Sequence, residues 1–319
     1  MDKQYVVGID IGGQTAKCGV VDARGEVLAQ NVVVSNRHTD AAEFVNYLAS
    51  AVKQLIADAG VEDQVRGIGV GAPNGNHYTG EIENAVNLTW GGSHSVPFAS
   101  MLSEAMEGMP VSLTNDANAA AVGEMAYGVA KGMKNFIMIT LGTGVGSGII
   151  VNGEIVYGYD GFAGELGHTP VVRRNGRQCN CGLTGCLETY TSATGVARTA
   201  REWLEMSQDP SLLRDLENIT SKDVYDAAKK GDQLALRVFE YTGSLLGEKL
   251  AEFVAFSAPE AIVLFGGLAR SREFLEKPVW ESMNAHMLHL WRGKVKLLFS
   301  SLKESDAAIL GASALAWEL

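Results

Sequence analysis

The most specific chemistry in this chain of 319 residues lies in three cysteines and a histidine. Cys179-Asn-Cys181-Gly-Leu-Thr-Gly-Cys186 follows shortly after His168. Three thiolates and an imidazole are the ligand set of a closed tetrahedral zinc site, and such a site is structural because no ligand position stays open. The interleaved glycines allow a loop tight enough to turn all three sulfurs inward. A reduced, metal-free loop is the alternative reading. Cys18 stands apart as an ordinary buried residue, and four cysteines are too few for a disulfide scaffold at this length.

Polar residues flank that loop. Glu165, His168 and Glu188 are of the types that bind sugar hydroxyls, since each accepts or donates in a fixed direction. Asn87, beside Leu88-Thr-Trp90 in a glycine-rich stretch, is a further candidate. Asn115-Asp116 follows a short predicted strand, 111–113, and opens a predicted helix, 117–130. An Asp there reads first as a helix cap, and one of the pair is expected to take that role. The sharper reading makes Asp116 the base that takes a proton from an attacking hydroxyl, as phosphoryl transfer requires.

Glycine-rich turns supply the next signal. Asp10-Ile-Gly12-Gly13-Gln14-Thr15 ends one predicted strand, and Gly142-Thr143-Gly144-Val-Gly-Ser-Gly148 ends another. Glycines let backbone N–H groups approach an anion, and the strand-end carboxylate of Asp10 is placed to hold Mg2+. Lys17 is the nearby cation of the first turn. Neither turn is a Walker loop. The second fails the dinucleotide fingerprint because a strand follows it, so an NAD enzyme is disfavoured. Two such turns could clamp one polyphosphate; the alternative is a pair of hairpins that need glycine for twist.

The elements that must carry these residues form a repeat. Predicted strands at 5–10, 18–21 and 26–34 are joined by the first turn and by Asp22-Ala-Arg-Gly25. A predicted helix over 40–60 follows, with Asp40 and Glu43 as a capping box, an apolar stripe from Phe44 to Ile56, and Gly60 as C-terminal cap. A further strand covers 67–71. The same order returns at 135–141, 147–151 and 154–157, where Asn152-Gly153 signals a type I′ hairpin. A third glycine turn, Gly266-Gly267, ends a predicted strand at 261–265. Helices are expected over 192–206, 221–230, 233–256 and 304–317. The pattern predicts a duplicated two-domain α/β fold.

Composition narrows the function classes. Apolar residues make up 46% and charged residues 20%, enough for packed cores. Lys+Arg number 26 against 37 Asp+Glu, a net charge of −11. That balance disfavours nucleic acid and anionic membranes as partners, because phosphate surfaces need clustered cations. Neither a signal peptide nor a membrane span is expected, so the chain reads as cytoplasmic.

Together these residues resemble the ROK family (repressors, open reading frames, kinases) of sugar kinases, within the actin-like, ribonuclease-H-like ATPases. The resemblance rests on Asp10-Ile-Gly-Gly, Gly69-Val-Gly-Ala-Pro73, Leu113-Thr-Asn-Asp-Ala-Asn-Ala-Ala120, Leu141 to Ile149, Gly164-Glu-Leu-Gly-His168 with Cys179 to Glu188, and Phe265-Gly-Gly-Leu268. Gln14 stands where the family commonly has Thr, with Thr15 beside it. Asn74-Gly75 follows Pro73, as in glucokinase-like members from some bacteria.

The resemblance implies a cleft between duplicated βββαβα-type domains, 1–115 plus 305–319 and 116–304. It implies Asp116 as catalytic base and Asn87, Asn115, Glu165, His168 and Glu188 as sugar ligands, with Asp116 touching the sugar as well. Asp10, Gly12, Gly13, Gln14, Thr15, Lys17, Gly142, Thr143, Gly144, Gly266 and Gly267 would serve ATP and Mg2+. His168, Cys179, Cys181 and Cys186 would hold structural Zn2+. The expected reaction is phosphorylation of a hexose primary hydroxyl, glucose first, by a homodimer. N-acetylmannosamine, N-acetylglucosamine, fructose and allose are alternative substrates. A sugar-responsive regulator is a less favoured class, since a strand predicted from Tyr5 leaves no room before it for a helix-turn-helix.

Overall fold

The repeat folds as two sheets with the same strand order. The computed structural model describes residues 3–319; Met1 and Asp2, with which the first expected domain begins, and the side chains of Glu304 and Ser305 lie outside the described residues. The chain opens with β1 (Tyr5–Ile11), β2 (Thr15–Asp22) and β3 (Val27–Val34), then α1 (Ala41–Ala59) and β4 (Val65–Ala72). There follow β5 (Ile82–Glu83), β6 (Ser95–Val96), α2 (Phe98–Ala105), β7 (Val111–Asn115) and α3 (Asp116–Tyr127). The first sheet has the order β3-β2-β1-β4-β7, antiparallel through the first three and parallel through β1, β4 and β7.

The second half repeats the scheme. Its elements are β8 (Phe136–Leu141), β9 (Val145–Val151), β10 (Glu154–Ile155), α4 (Glu188–Thr191), α5 (Ala193–Met206), α6 (Ser221–Lys229), α7 (Gln233–Ser257), β11 (Ala261–Phe265), α8 (Arg272–His286), β12 (Lys296–Phe299) and α9 (Glu304–Ala314). The sheet order is β10-β9-β8-β11-β12, with β8, β11 and β12 parallel.

Local signals in the sequence act as expected at several ends. The Asp40 side chain accepts the Glu43 N–H at 3.0 Å, and Gly60 closes α1 at φ 67°. Asn152 and Gly153 adopt φ 55° and 87°, the two positive values that a type I′ turn needs. By contrast, β10 stops at Ile155, two residues short of its predicted end. Helix α8 was not legible because Pro278 lies inside it. That proline packs against Gly243 of α7, where a Cβ would come within 2.6 Å of its ring.

The structure divides into two compact units. The first comprises residues up to Met133 with Gly148–Ala163 and Ser301–Leu319; the second comprises Lys134–Ser147 and Gly164–Ser300. The first boundary therefore lies after α3 rather than at the 115/116 expected from the resemblance. The reason is that α3 packs on α9 backbone to backbone: a Cβ on Gly123 would sit 2.7 Å from Gly311 Cα. The segment 148–163 belongs there because Asn76 Nδ2 donates to the Asp160 carbonyl at 2.8 Å and Tyr78 Oη to that of Gly158 at 2.9 Å.

In the first unit, apolar residues of β1, β2, β4, α1 and α2 form a continuous core. Trp90 is buried within it, its ring 4.6 Å from that of Phe44, and its Nε1 donates to the buried Ser35 hydroxyl at 2.9 Å. This anchors the loop that carries Asn87. Helix α9 lies directly on β1 and β4, whose glycines make room for it. Among the described residues, no helix is long and apolar enough to cross a membrane.

A Cβ on Gly69 would lie 1.9 Å from the Ala312 carbonyl oxygen. Gly69→Ala should therefore lower the stability of the folded chain by about 3 kcal/mol, as overpacking does. Urea unfolding measures this, and a variant as stable as the parent would refute the close seating of α9.

Candidate active site

Parallel pairing brings the acidic candidates of the first unit to one edge. Asp10 pairs with Gly71, and Ala72 pairs with Asn115, so Asp10, Asn115 and Asp116 emerge at the C-terminal ends of β1 and β7, the parallel strands on either side of β4. In open α/β sheets this is the edge where ligands bind. Asn115 has extended backbone and is the N-cap of α3, while Asp116 is the first helical residue. The Ala117 N–H is shared, 2.8 Å from Oδ1 of each. The cap role expected for one of the pair thus falls on Asn115.

Electrostatics separates the two carboxylates from ordinary surface groups. Asp116 keeps contact with solvent, yet desolvation by the surrounding protein raises its pKa, against the pull of the backbone N–H groups at the helix start. Asp10 is pushed up to about 6, first by desolvation and then by the charge of Asp116, with Lys17 opposing. Lys17 is cross-strand from Asp10 on β2.

The first glycine turn is closed by Gly12 N–H to the Thr15 carbonyl at 2.9 Å. The Gln14 carbonyl accepts the N–H groups of Ser35 at 2.9 Å and Asn36 at 3.3 Å. Glycine is required at position 13, because a Cβ there would meet the Asn87 carbonyl oxygen at 2.9 Å. Asn87 thereby lies beside this turn, with its residue exposed.

The remaining candidates lie in the second unit. The second turn is held by Gly142 N–H to the Gly144 carbonyl at 3.0 Å and by Gly146 N–H to Thr140 Oγ1 at 2.9 Å. From the start of α5, the Ala193 N–H reaches the Gly142 carbonyl at 2.8 Å and Thr194 Oγ1 reaches that of Thr143 at 2.9 Å. Gly266, at φ 100°, packs against β8 so closely that a Cβ would be 2.7 Å from the Leu141 carbonyl oxygen. Gly142, Thr143, Gly144, Gly266 and Gly267 therefore sit at the ends of two neighbouring parallel strands.

His168, Cys179, Cys181 and Cys186 converge, with their ligand atoms all within 4.8 Å of one another. The Cys181 and Cys186 sulfurs are 3.7 Å apart. Tetrahedral ligation with Zn–S bonds of about 2.3 Å needs sulfurs about 3.8 Å apart, so the donor set fits that ion in both chemistry and spacing. Desolvation and the neighbouring thiols push the Cys186 thiol up to about 12, whereas at Cys181 desolvation is outweighed by hydrogen bonds from the Leu183 backbone and the neighbouring thiols, which bring it below the ordinary thiol value. His168 turns Nδ1 toward Cys179 Sγ at 3.7 Å and Nε2 toward the Glu165 carboxylate at 3.9 Å. At that separation the Glu165 carboxylate lies near the imidazole but beyond hydrogen-bond length.

Glu188 has a contact that its sequence context did not show. Its Oε2 accepts the Val145 N–H at 3.0 Å, and its Oε1 is 3.7 Å from Cys179 Sγ. A Cβ on Gly144 would be 2.3 Å from that Oε2, so the glycine leaves space for the carboxylate. Thr140, Thr194 and Ser147, whose hydroxyl bonds the Gly164 carbonyl, were missed by sequence reasoning. Only Thr140 left a signal, as a polar residue ending a buried strand.

The Asp10 shift has a pH signature. Its folded pKa of about 6 lies above the unfolded value near 3.8, so the folded state binds more protons between them. Stability from this group is present below pH 4 and is lost as pH rises through 6, by roughly 3 kcal/mol in all. Asp10→Asn should therefore gain stability over the parent as pH rises from 4 to 7, measured by urea unfolding at each pH. A difference that is flat with pH would refute it.

Comparison with known proteins agrees with this geometry. The ROK family model matches residues 6–318. A glucokinase of Halalkalibacterium halodurans is 37% identical over 316 residues, covering 98% of this chain and 94% of the relative. One of Thermotoga maritima is 32% identical, covering 99% and 98%. The crystal structure of a ROK family glucokinase from Streptomyces griseus, in complex with glucose and AMPPNP, superposes with a TM-score of 0.79 at 30% identity, covering 99% of this chain and 100% of that one. The fold is the actin-like, ribonuclease-H-like ATPase fold. With two sheets of one order, three glycine turns at parallel strand ends and a family match over nearly its whole length, this chain belongs to the ROK family.

Proposed function

We propose that this chain is an ATP-dependent sugar kinase that phosphorylates glucose on its primary hydroxyl. The observation that carries the reading is Asp116, a carboxylate with a raised pKa at the start of α3, on the same sheet edge as Asp10 and close enough to raise the Asp10 pKa by its charge. Similarity to glucokinases over nearly the full chain supports the choice of sugar. Asn87, Asn115, Glu165, His168 and Glu188 are assigned to the sugar.

In the reaction, the Asp116 carboxylate accepts the proton of the attacking hydroxyl. The hydroxyl oxygen forms the new bond to the γ-phosphorus as the bond to the β-phosphate oxygen breaks and ADP leaves. A carboxylate made more basic by partial desolvation suits this proton transfer. Backbone N–H groups of Gly13, Thr143 and Gly144 are assigned to the phosphates, with Gly12 and Gly142 closing the two turns through their own N–H groups, Gln14, Thr15 and Lys17 beside the first turn and Gly266-Gly267 at the nucleoside. Mg2+ bound with the nucleotide, which Asp10 would help to hold, supplies charge neutralisation on the transferring group. Zn2+ at His168, Cys179, Cys181 and Cys186 has no open position and supplies rigidity to the loop.

Asp116→Asn should lower kcat by about a thousandfold or more while glucose still binds, read by coupled ADP release and by calorimetry. Substantial turnover in that variant would remove Asp116 as the base. A panel of hexoses and N-acetylhexosamines in the same assay should give glucose the highest kcat/KM. Metal analysis should find one zinc per chain, lost in Cys181→Ser; a metal-free parent protein would refute the zinc assignment.

A further inference from the structure

Arg177 stands at the head of the cysteine loop and is nearly sealed from solvent, its side chain 7% exposed. A buried guanidinium is costly unless its donors are satisfied. Here its donors reach two separate elements, α4 and α5. Nη1 donates to the Thr189 carbonyl at 2.8 Å and to that of Gly195 at 3.3 Å. Nη2 donates to Thr199 Oγ1 at 2.9 Å and to Glu202 Oε2 at 2.5 Å, and Nε reaches the same Glu202 oxygen at 3.1 Å. The guanidinium lies over the Tyr190 ring, 4.4 Å from its centroid. The backbone is engaged as well: Arg177 N–H donates to Tyr190 Oη at 2.9 Å, and its carbonyl accepts the Gly185 N–H at 2.8 Å.

These bonds tie both ends of the cysteine loop to α4 and α5. They grip the carbonyl next to Glu188, and α5 in turn holds the Gly142 and Thr143 carbonyls. Helix α4 has four residues, too few to hold Glu188 by its own hydrogen bonds. The rigidity must come from outside it.

We propose that Arg177 is the positioning residue that fixes Glu188, through the Thr189 carbonyl, the Tyr190 ring and the α5 contacts. This rests on the assignment of Glu188 to the sugar. Lysine cannot replace it, because a single ammonium lacks the planar fork that serves Thr189, Thr199 and Glu202 at once.

The test compares the parent, Arg177→Lys and the milder Tyr190→Phe, which keeps the ring and removes only the hydroxyl that accepts the Arg177 N–H. In folded Arg177→Lys, KM for glucose should rise about tenfold or more while kcat changes less than about threefold, since a small misplacement of a binding group is costly. Tyr190→Phe should shift KM in the same direction by a smaller factor, and it carries the test if Arg177→Lys does not fold. A purely structural role would lower the melting temperature and leave KM unchanged, and that result overturns the proposal. If the parent itself shows no glucose-dependent ADP release, the kinase reading has failed and a second readout decides. Labelling of the buried thiols Cys179 and Cys186 by a disulfide reagent, with chelator present, should then be faster in either variant than in the parent. Unchanged labelling in folded variants overturns the proposal in that case.

Discussion

Parallel strand pairing is the constraint on which the arrangement depends. Strands β1, β4 and β7 run the same way, so their chain reversals all fall at one edge of the sheet. The register then matters to the residue: Asp10 is level with Gly71, and Asn115 is level with Ala72. A slip of one residue would send each side chain to the opposite face. The two acidic groups come together because of backbone hydrogen bonds, and their charges oppose the arrangement. Burial and mutual repulsion appear as the raised pKa of Asp10. The second unit obeys the same constraint with β8 and β11, and there the edge carries glycine turns instead of carboxylates.

A chain with net charge −11 can hold a polyanion only with local donors. Glycine provides them in two ways here. At the turns it leaves N–H groups accessible. At Gly13 and Gly144 it also lets a neighbouring group approach closely, the Asn87 carbonyl in one case and the Glu188 carboxylate in the other. The glycine turns therefore shape their surroundings as much as they offer donors.

The cysteine loop depends on more than its four ligand atoms. The Glu165 carboxylate lies 3.9 Å from His168 Nε2, and Arg177 joins the loop to α4 and α5 through satisfied charge-assisted bonds. Glu202 shows the strength of that network. Burial pushes its carboxyl up, but the bonds from Arg177 and Arg198 outweigh it and leave the group below the usual range. A buried arginine is one means of ordering a loop too short of apolar residues to order itself.

Much of this was legible in the sequence because it is local. The apolar run of β1, the cap at Asp40, the Asn152-Gly153 turn and the glycine and cysteine motifs each depend on residues a few positions apart. The repeated order of strands along the chain was legible for the same reason, while the full set of candidate site residues came from the family resemblance. Partnership between distant segments was decided only by the tertiary structure. Helix α8 forms despite Pro278 because α7 offers Gly243 to it, and the boundary moves to residue 133 because α3 packs on α9. A cap role was expected for one of Asn115 and Asp116, and backbone geometry places it on Asn115. Arg177 carries no signal in its local sequence, and only packing encloses it. Hydrogen-bond spacing and hydrophobic period act along the chain and can be read there, whereas desolvation and close approach depend on which segments meet, and only the fold determines that.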